Sequence, residues 1–365
     1  MSALRVRRHE LSAALAPLAS SVFVAAAAFA IMLALIAAIG YSPADTASAF
    51  VDGAFGGSSE VAATITVMIP LVLLGLAWIV ASSARQINLG LEGQILAGGI
   101  GATLAGTNLE GLPPALHLGA AVLAAALSGA LWAALPALLY ILRDVSVLLS
   151  SFMLNFVAAL LVAYLIRGPM KNPGGLGLIE SSPISLDALW PTLGTSGLRW
   201  DVMLIPVAVL ALTVVMHLTT VGFRLRLIGA NESAAEHVGI STKRIAAGAL
   251  LGSGALAGIA GSSLVLDSFT GSLTEGFSSG YGFIGIAVAL LARNSPGGCI
   301  ASALLFAAMQ QGGSLVETRV GVPSSSVEVA QGVVIVLVAL SSWLLIRMTR
   351  NRASTALTPE IDGTV

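Results

Sequence analysis

Charge is what this sequence has least of. Only 10% of its 365 residues are Asp, Glu, Lys or Arg, while 56% are hydrophobic. Soluble domains carry about 25% charged residues. At a mean hydropathy of +0.94 a soluble fold of this size would lack the polar surface that keeps it in water. A cytosolic enzyme and a secreted binding domain are therefore excluded, and the class is an all-α polytopic membrane protein. Cysteine is nearly absent: Cys299 stands alone, which excludes an intrachain disulfide and a cysteine-rich metal site. Aromatics make up 5% of the chain against 40 glycines, a balance that suits helices packed closely through small residues.

Lysine is scarce too. The two lysines, Lys171 and Lys243, do not follow glycine, so no Gly-Lys-Ser/Thr phosphate loop exists and the chain is not itself an ATPase of that kind. His9, His117, His217 and His237 are dispersed, with no His-Glu-x-x-His. No catalytic or metal-binding constellation is read, and no cofactor is expected. His117 and His217 are read as interfacial residues near membrane boundaries.

What is present is a series of charge-free windows: 11–44, 61–84, 93–109, 111–142, 145–166, 202–223, 245–266, 276–292, 294–316 and 329–346. Each approaches or exceeds the roughly 17–25 apolar residues of a spanning helix. They are Ala/Leu/Gly-rich without period-2 alternation, which excludes barrel strands. About ten transmembrane helices are expected. A retained first helix, rather than a cleaved signal, follows Arg5, Arg7 and Arg8. Ten crossings from a cytoplasmic N-terminus leave Arg167, Lys171, Arg199 and Arg319 outside and the other 13 of the 17 basic residues inside, in keeping with the positive-inside rule. Both termini are then cytoplasmic. Residues 1–352 form one polytopic transmembrane domain, with an outer turn-rich loop at 167–201 and an inner loop at 224–244. Residues 353–365 read as a flexible cytoplasmic tail.

The inner loop carries a short punctuated helix. Asn231 reads as its N-cap, Glu232 lies at the positive end of its dipole, and Ser233 with Glu236 offers an alternative capping box. Gly239 can take the left-handed conformation that ends a helix. Basic residues flank it on both sides. A solvated loop needs no such capping, so the segment is read as presented to a cytoplasmic partner.

These residues suggest a family. Ser233-Ala234-Ala235-Glu236-His237-Val238-Gly239 resembles the Glu-Ala-Ala-x-x-x-Gly loop of ATP-binding-cassette importer permeases, with Ser233 in place of the glutamate. Ile87-Asn88-Leu89-Gly90-Leu91-Glu92-Gly93-Gln94 is similar to a signature of the branched-chain amino acid and simple-sugar permease superfamily. Further blocks at 151–156, 167–175 and 280–291 resemble its nucleoside-importer branch, in the same order from about residue 60 to 345. The resemblance implies a coupling helix at Asn231, Ser233, Ala234, Ala235, Glu236 and Gly239. It also implies cytoplasmic ATPase subunits, a second permease subunit (identical or related) and an extracytoplasmic solute-binding lipoprotein or protein. The location implied is the bacterial plasma membrane, in contact with lipid and not nucleic acid. The solute the resemblance implies is a nucleoside, with a simple sugar such as ribose as the alternative.

Ten helices divide into two runs of five, and an odd number per half implies an inverted repeat. The third windows of the two halves, 93–109 and 276–292, are short and glycine-led, which points to a solute pathway between them. Its candidate residues are Asn88, Glu92, Gln94, Asn155, Tyr281 and Phe283. Glu92 is read as the one carboxylate that fits neither aqueous side. It is either an intramembrane functional acid or a helix N-terminal charge near the inner surface. Asn155 is read first as a bond between helices, and Gln94 is open between that role and solute contact. Tyr281 and Phe283 are read first as packing. The stripes Gly93, Ala97, Gly101, Ala105 and Gly254, Gly258, Ser262 are read as close helix contacts. An ion-coupled transporter would need intramembrane acids, of which Glu92 is the sole candidate. A membrane enzyme would need a paired acid/base or metal site.

Overall fold

The computed structural model describes residues 40–109, 111–175, 177–267 and 271–323, with scattered positions on either side between 29 and 336. It divides into two compact units. One comprises residues 1–49 and 316–365, and the other runs from Phe50 to Leu315. In the first, Tyr41 donates its hydroxyl to the Gly321 carbonyl (3.0 Å). The second holds nearly all the described helices. Most of window 11–44, all but scattered residues of 329–346, and the tail at 353–365 lie outside the described residues.

The helices, in order, are α1 (Pro43–Phe55), α2 (Ser58–Ser83), α3 (Leu91–Asn108), α4 (Pro114–Arg143), α5 (Val147–Arg167), α6 (Leu204–Leu218), α7 (Thr220–Ala230), α8 (Glu232–His237), α9 (Thr242–Val265), α10 (Tyr281–Leu291) and α11 (Gly298–Val320). Among the described residues, six stretches are long and apolar enough to cross a membrane: α2, α4, α5, residues Trp200–Leu218, α9 and α11. Three expected spans turn out differently. The window at 93–109 yields α3, which at 18 residues is not among those six. The window at 276–292 yields only the 11-residue α10, about 16 Å long and too short to cross, because glycines and turns occupy 276–280. The window at 202–223 breaks at Thr219, whose hydroxyl accepts from the Gly222 N–H and starts α7. The inner loop is consequently a pair of helices, α7 and α8. Helix α1, in a stretch read as a connection, was not expected.

Apolar composition all round a helix means burial on all sides. Helix α2 fits: 78% of its most apolar stretch is buried, against 28% for α4 and for α5. Helices α2, α3 and α9 form the centre, α4 packs on both α3 and α9, and α10 packs on α2. Glycine sets the spacing. A Cβ at Gly258 of α9 would strike the Ala125 carbonyl of α4, and one at Gly98 of α3 would strike Gly258 itself. The predicted stripes of small residues are therefore helix-crossing points. Pro114 opens α4 at its first turn. Asp144 ends it in a left-handed conformation, donating to Tyr140, and a tight turn reverses the chain into α5.

The outer segment folds across one end of this centre. Residues 192–193 and 198–199 form a small antiparallel hairpin, β1–β2. Ser181 and Ile184 donate to the Leu273 and Gly271 carbonyls beyond α9, and Ser185 donates to Gly106 near the end of α3.

Candidate functional site

The sequence motif at 87–94 forms a turn leading into α3. Asn88 is fully buried. Its carbonyl oxygen accepts from the Gly90 N–H (3.0 Å) and the Gln94 amide (3.2 Å), and its own amide donates to Gln94 (3.1 Å) and to Ser253 of α9 (3.0 Å). Two amides facing each other use most of their donors and acceptors internally.

Every helix begins with N–H groups that lack partners within the helix. Here they are satisfied from other helices. Asn155 of α5 accepts from the Gly93 N–H (2.8 Å) and donates to the Leu89 carbonyl (2.8 Å). Glu92, in the first turn of α3, does the same for α10. Its carboxylate accepts from the Gly282 N–H (2.7 Å), the Gly280 N–H (3.3 Å) and the Ser278 hydroxyl. A carboxylate suits this place because the amino end of α10 carries partial positive charge. Glycine is needed at 282 because a Cβ there would overlap the Glu92 backbone. Gly280 caps α10 in a left-handed conformation (φ 78°). All six predicted pathway residues thus gather where the first turns of α3 and α10 meet, Asn88 in the turn before α3 and Asn155 on α5 beside it. Tyr281 is buried there. Phe283, in the same turn, is 42% exposed and stands edge-on to Phe152 of α5, 6.4 Å between ring centres. One of the two readings of Glu92 is a helix N-terminal charge; Glu92 does stand in the first turn of α3, but the N–H groups its carboxylate accepts from belong to the entrance of α10.

Sequence reasoning missed the most buried ion cluster. Arg199 and Asp201 have side-chain exposures of 4% and 0% and pair directly, and Arg199 also reaches Asp267 (2.9 Å) and the Ser263 carbonyl (2.9 Å). Burial pulls the Arg199 pKa down, but Asp201 and Asp267 outweigh it and hold the guanidinium above its usual range. Glu92 is therefore not the one carboxylate away from water, since Asp201 is more deeply buried. The only signal was Arg199-x-Asp201 beside an apolar run. His117 also departs from expectation. It is fully buried and its Nε2–H donates to the Ala105 carbonyl (3.2 Å), because α4 packs flat against α3.

At the opposite end stands α8. Asn231 caps it, accepting from the Ala234 N–H (3.1 Å), and Gly239 follows with φ 80°. The alternative capping box does not form. Glu236 instead accepts from the Thr242 hydroxyl (2.9 Å), tying α8 to the start of α9. Ala235 is buried, while Ser233, Ala234, Glu236, His237 and Val238 are exposed. One alanine anchors the helix, and most of its other residues face outward.

Residues 61–342 match the family described as branched-chain amino acid transport system / permease component, and the chain belongs to that family. It is similar to a glucose ABC transporter permease of Haloferax volcanii, 36% identical over 75% of this chain and 74% of that protein. It is similar to a guanosine ABC transporter permease of Bacillus subtilis, 33% identical over 91% of this chain and 94% of that one. A nucleoside ABC transporter permease of Lactococcus lactis is 28% identical over 93% and 94%. The chain is accordingly a multi-pass membrane permease of the ABC-transporter kind.

Proposed function

We propose that this permease imports a nucleoside by alternating access, driven by separate ATPase subunits. The substrate reading rests on extent of likeness. The two relatives named for guanosine and nucleosides align over more than nine-tenths of this chain and of themselves. A second reading, a simple sugar, is supported by the glucose relative, which is more identical over a shorter stretch. A nucleoside contains a sugar, so the two readings share part of their chemistry.

In this function the ATPase docks on α8, a second permease subunit completes the pathway, and an extracytoplasmic solute-binding protein delivers the solute. The protein sits in a bacterial plasma membrane as two inverted halves with both termini inside. Residues 1–352 are the permease domain and 353–365 a tail. The chain performs no covalent chemistry. Solute passes beside the α3–α10 junction, since short, glycine-led helices whose N-termini converge are the usual construction of a transport site. Glu92 and Ser278 hold that junction, Asn88, Gln94 and Asn155 fix the turn beside it, and Tyr281 and Phe283 line the α10 side.

Reconstitution with ATPase and solute-binding subunits tests this. Saturable, ATP-dependent guanosine uptake that glucose and ribose do not compete is the expected result. Uptake of sugar alone selects the second reading, and uptake driven by an ion gradient without ATPase rejects both. Ala234→Arg, on the exposed face of α8, should abolish ATP-driven uptake while leaving thermal unfolding unchanged.

A further inference from the structure

A groove of about 440 Å³ opens between α2, α6, α7 and α9. Its walls are aliphatic, with Val80, Leu212, Val215 and Leu225 among them, and its single charged lining residue is Arg224. Arg224 is exposed and makes no ion pair or hydrogen bond among the described residues. We propose that this groove binds one membrane phospholipid, its acyl chain lying along α9 and its anionic headgroup held by Arg224.

Three observations identify the occupant. The first is position. Val80 is three residues from the end of α2, Val215 three from the end of α6, and Ile245 three into α9. The mouth of the groove therefore lies where these helices leave the apolar layer, at headgroup depth. The second is length. The groove follows α9 from Ile245 to Leu256, about 16 Å at 1.5 Å per residue, which matches one leaflet of a hydrocarbon core about 30 Å thick. The third is charge. An unpaired guanidinium at that depth presents a planar fork suited to a phosphate, and basic pockets between membrane helices bind anionic headgroups. A water-soluble solute would find no polar partner along the aliphatic walls. The site is distinct from the α3–α10 junction, and a lipid there fills the space between the two helices that flank α8.

The glycines supply a clean test. A Cβ at Gly248, in the groove wall, meets nothing within 4 Å, so Gly248→Leu fills the groove without overpacking the protein. Gly119 of α4 is equally open and lies outside the groove, so Gly119→Leu is the matched control. The full chain is purified in mild detergent, and its retained phosphatidylglycerol and phosphatidylcholine are measured by native mass spectrometry after mixing with equal amounts of each. Wild type should retain phosphatidylglycerol about fivefold over phosphatidylcholine, the factor equivalent to about 1 kcal/mol for one arginine. Arg224→Gln should erase that preference. Gly248→Leu should lose both lipids, and Gly119→Leu should behave as wild type. Equal retention by Gly248→Leu and Gly119→Leu, or a preference that survives Arg224→Gln, would overturn the assignment. The readout is independent of the transported solute and of ATP.

Discussion

At the scale of single residues, two polar side chains matter for the helix ends they complete. Glu92 accepts from two backbone N–H groups and a hydroxyl of the α10 entrance. Hydrogen bonds to charged groups contribute about 1.5–3 kcal/mol. Glu92→Ala should therefore lower stability by about 2 kcal/mol in thermal or denaturant unfolding, and should also depress uptake. Glu92→Asp, one methylene shorter, should recover less than half of the lost stability. Asn88→Ala should cost about 1–3 kcal/mol, because it leaves buried partners on Gln94, Gly90 and Ser253 unsatisfied. The polar character of both residues was legible in the sequence. Their partners were not, because Ser253 is 165 positions from Asn88 and Gly282 is 190 from Glu92.

At the scale of elements, glycine spacing decides how closely α3, α4 and α9 approach. Gly258 meets the backbone of both neighbours, whereas Gly248 on the same helix meets nothing. Gly258→Leu should destabilise by at least about 1–3 kcal/mol through overpacking. Gly248→Ala should raise stability by about 0.5–1 kcal/mol, since alanine favours helix and no contact opposes it. Unfolding of the two variants under the same conditions would check both signs. The stripes themselves were visible in the sequence, but that Gly248, outside them, leaves room for a side chain was not. Helix α8 shows the opposite balance. Its caps, Asn231 and Gly239, were readable because capping is local. The Glu236–Thr242 bond depends on where α9 begins, and the expected capping box gave way to it.

At the scale of the whole molecule, the outer segment is fixed to the central helices by charge. Arg199, Asp201 and Asp267 join β2, the start of Trp200–Leu218 and the end of α9. Removing one member of a buried pair strands the other, at a cost of about 3–5 kcal/mol. Arg199→Gln should show that loss in chemical denaturation. Lys243→Gln should show no measurable loss, because the Lys243–Asp144 pair is exposed and surface pairs contribute little.

The scarcity of charge determined by itself that this chain belongs in a membrane, because apolar segments of spanning length have no other stable solvent. The sequence also set where α8 starts and stops, since those caps act within a few residues. Tertiary structure alone decided that Asp201 can be buried beside Arg199. It also decided that His117 faces α3 and that a carboxylate on α3 completes the start of α10. Each of these turns on contacts between residues far apart in the chain, and periodicity and composition carry no record of which distant backbone a side chain will meet.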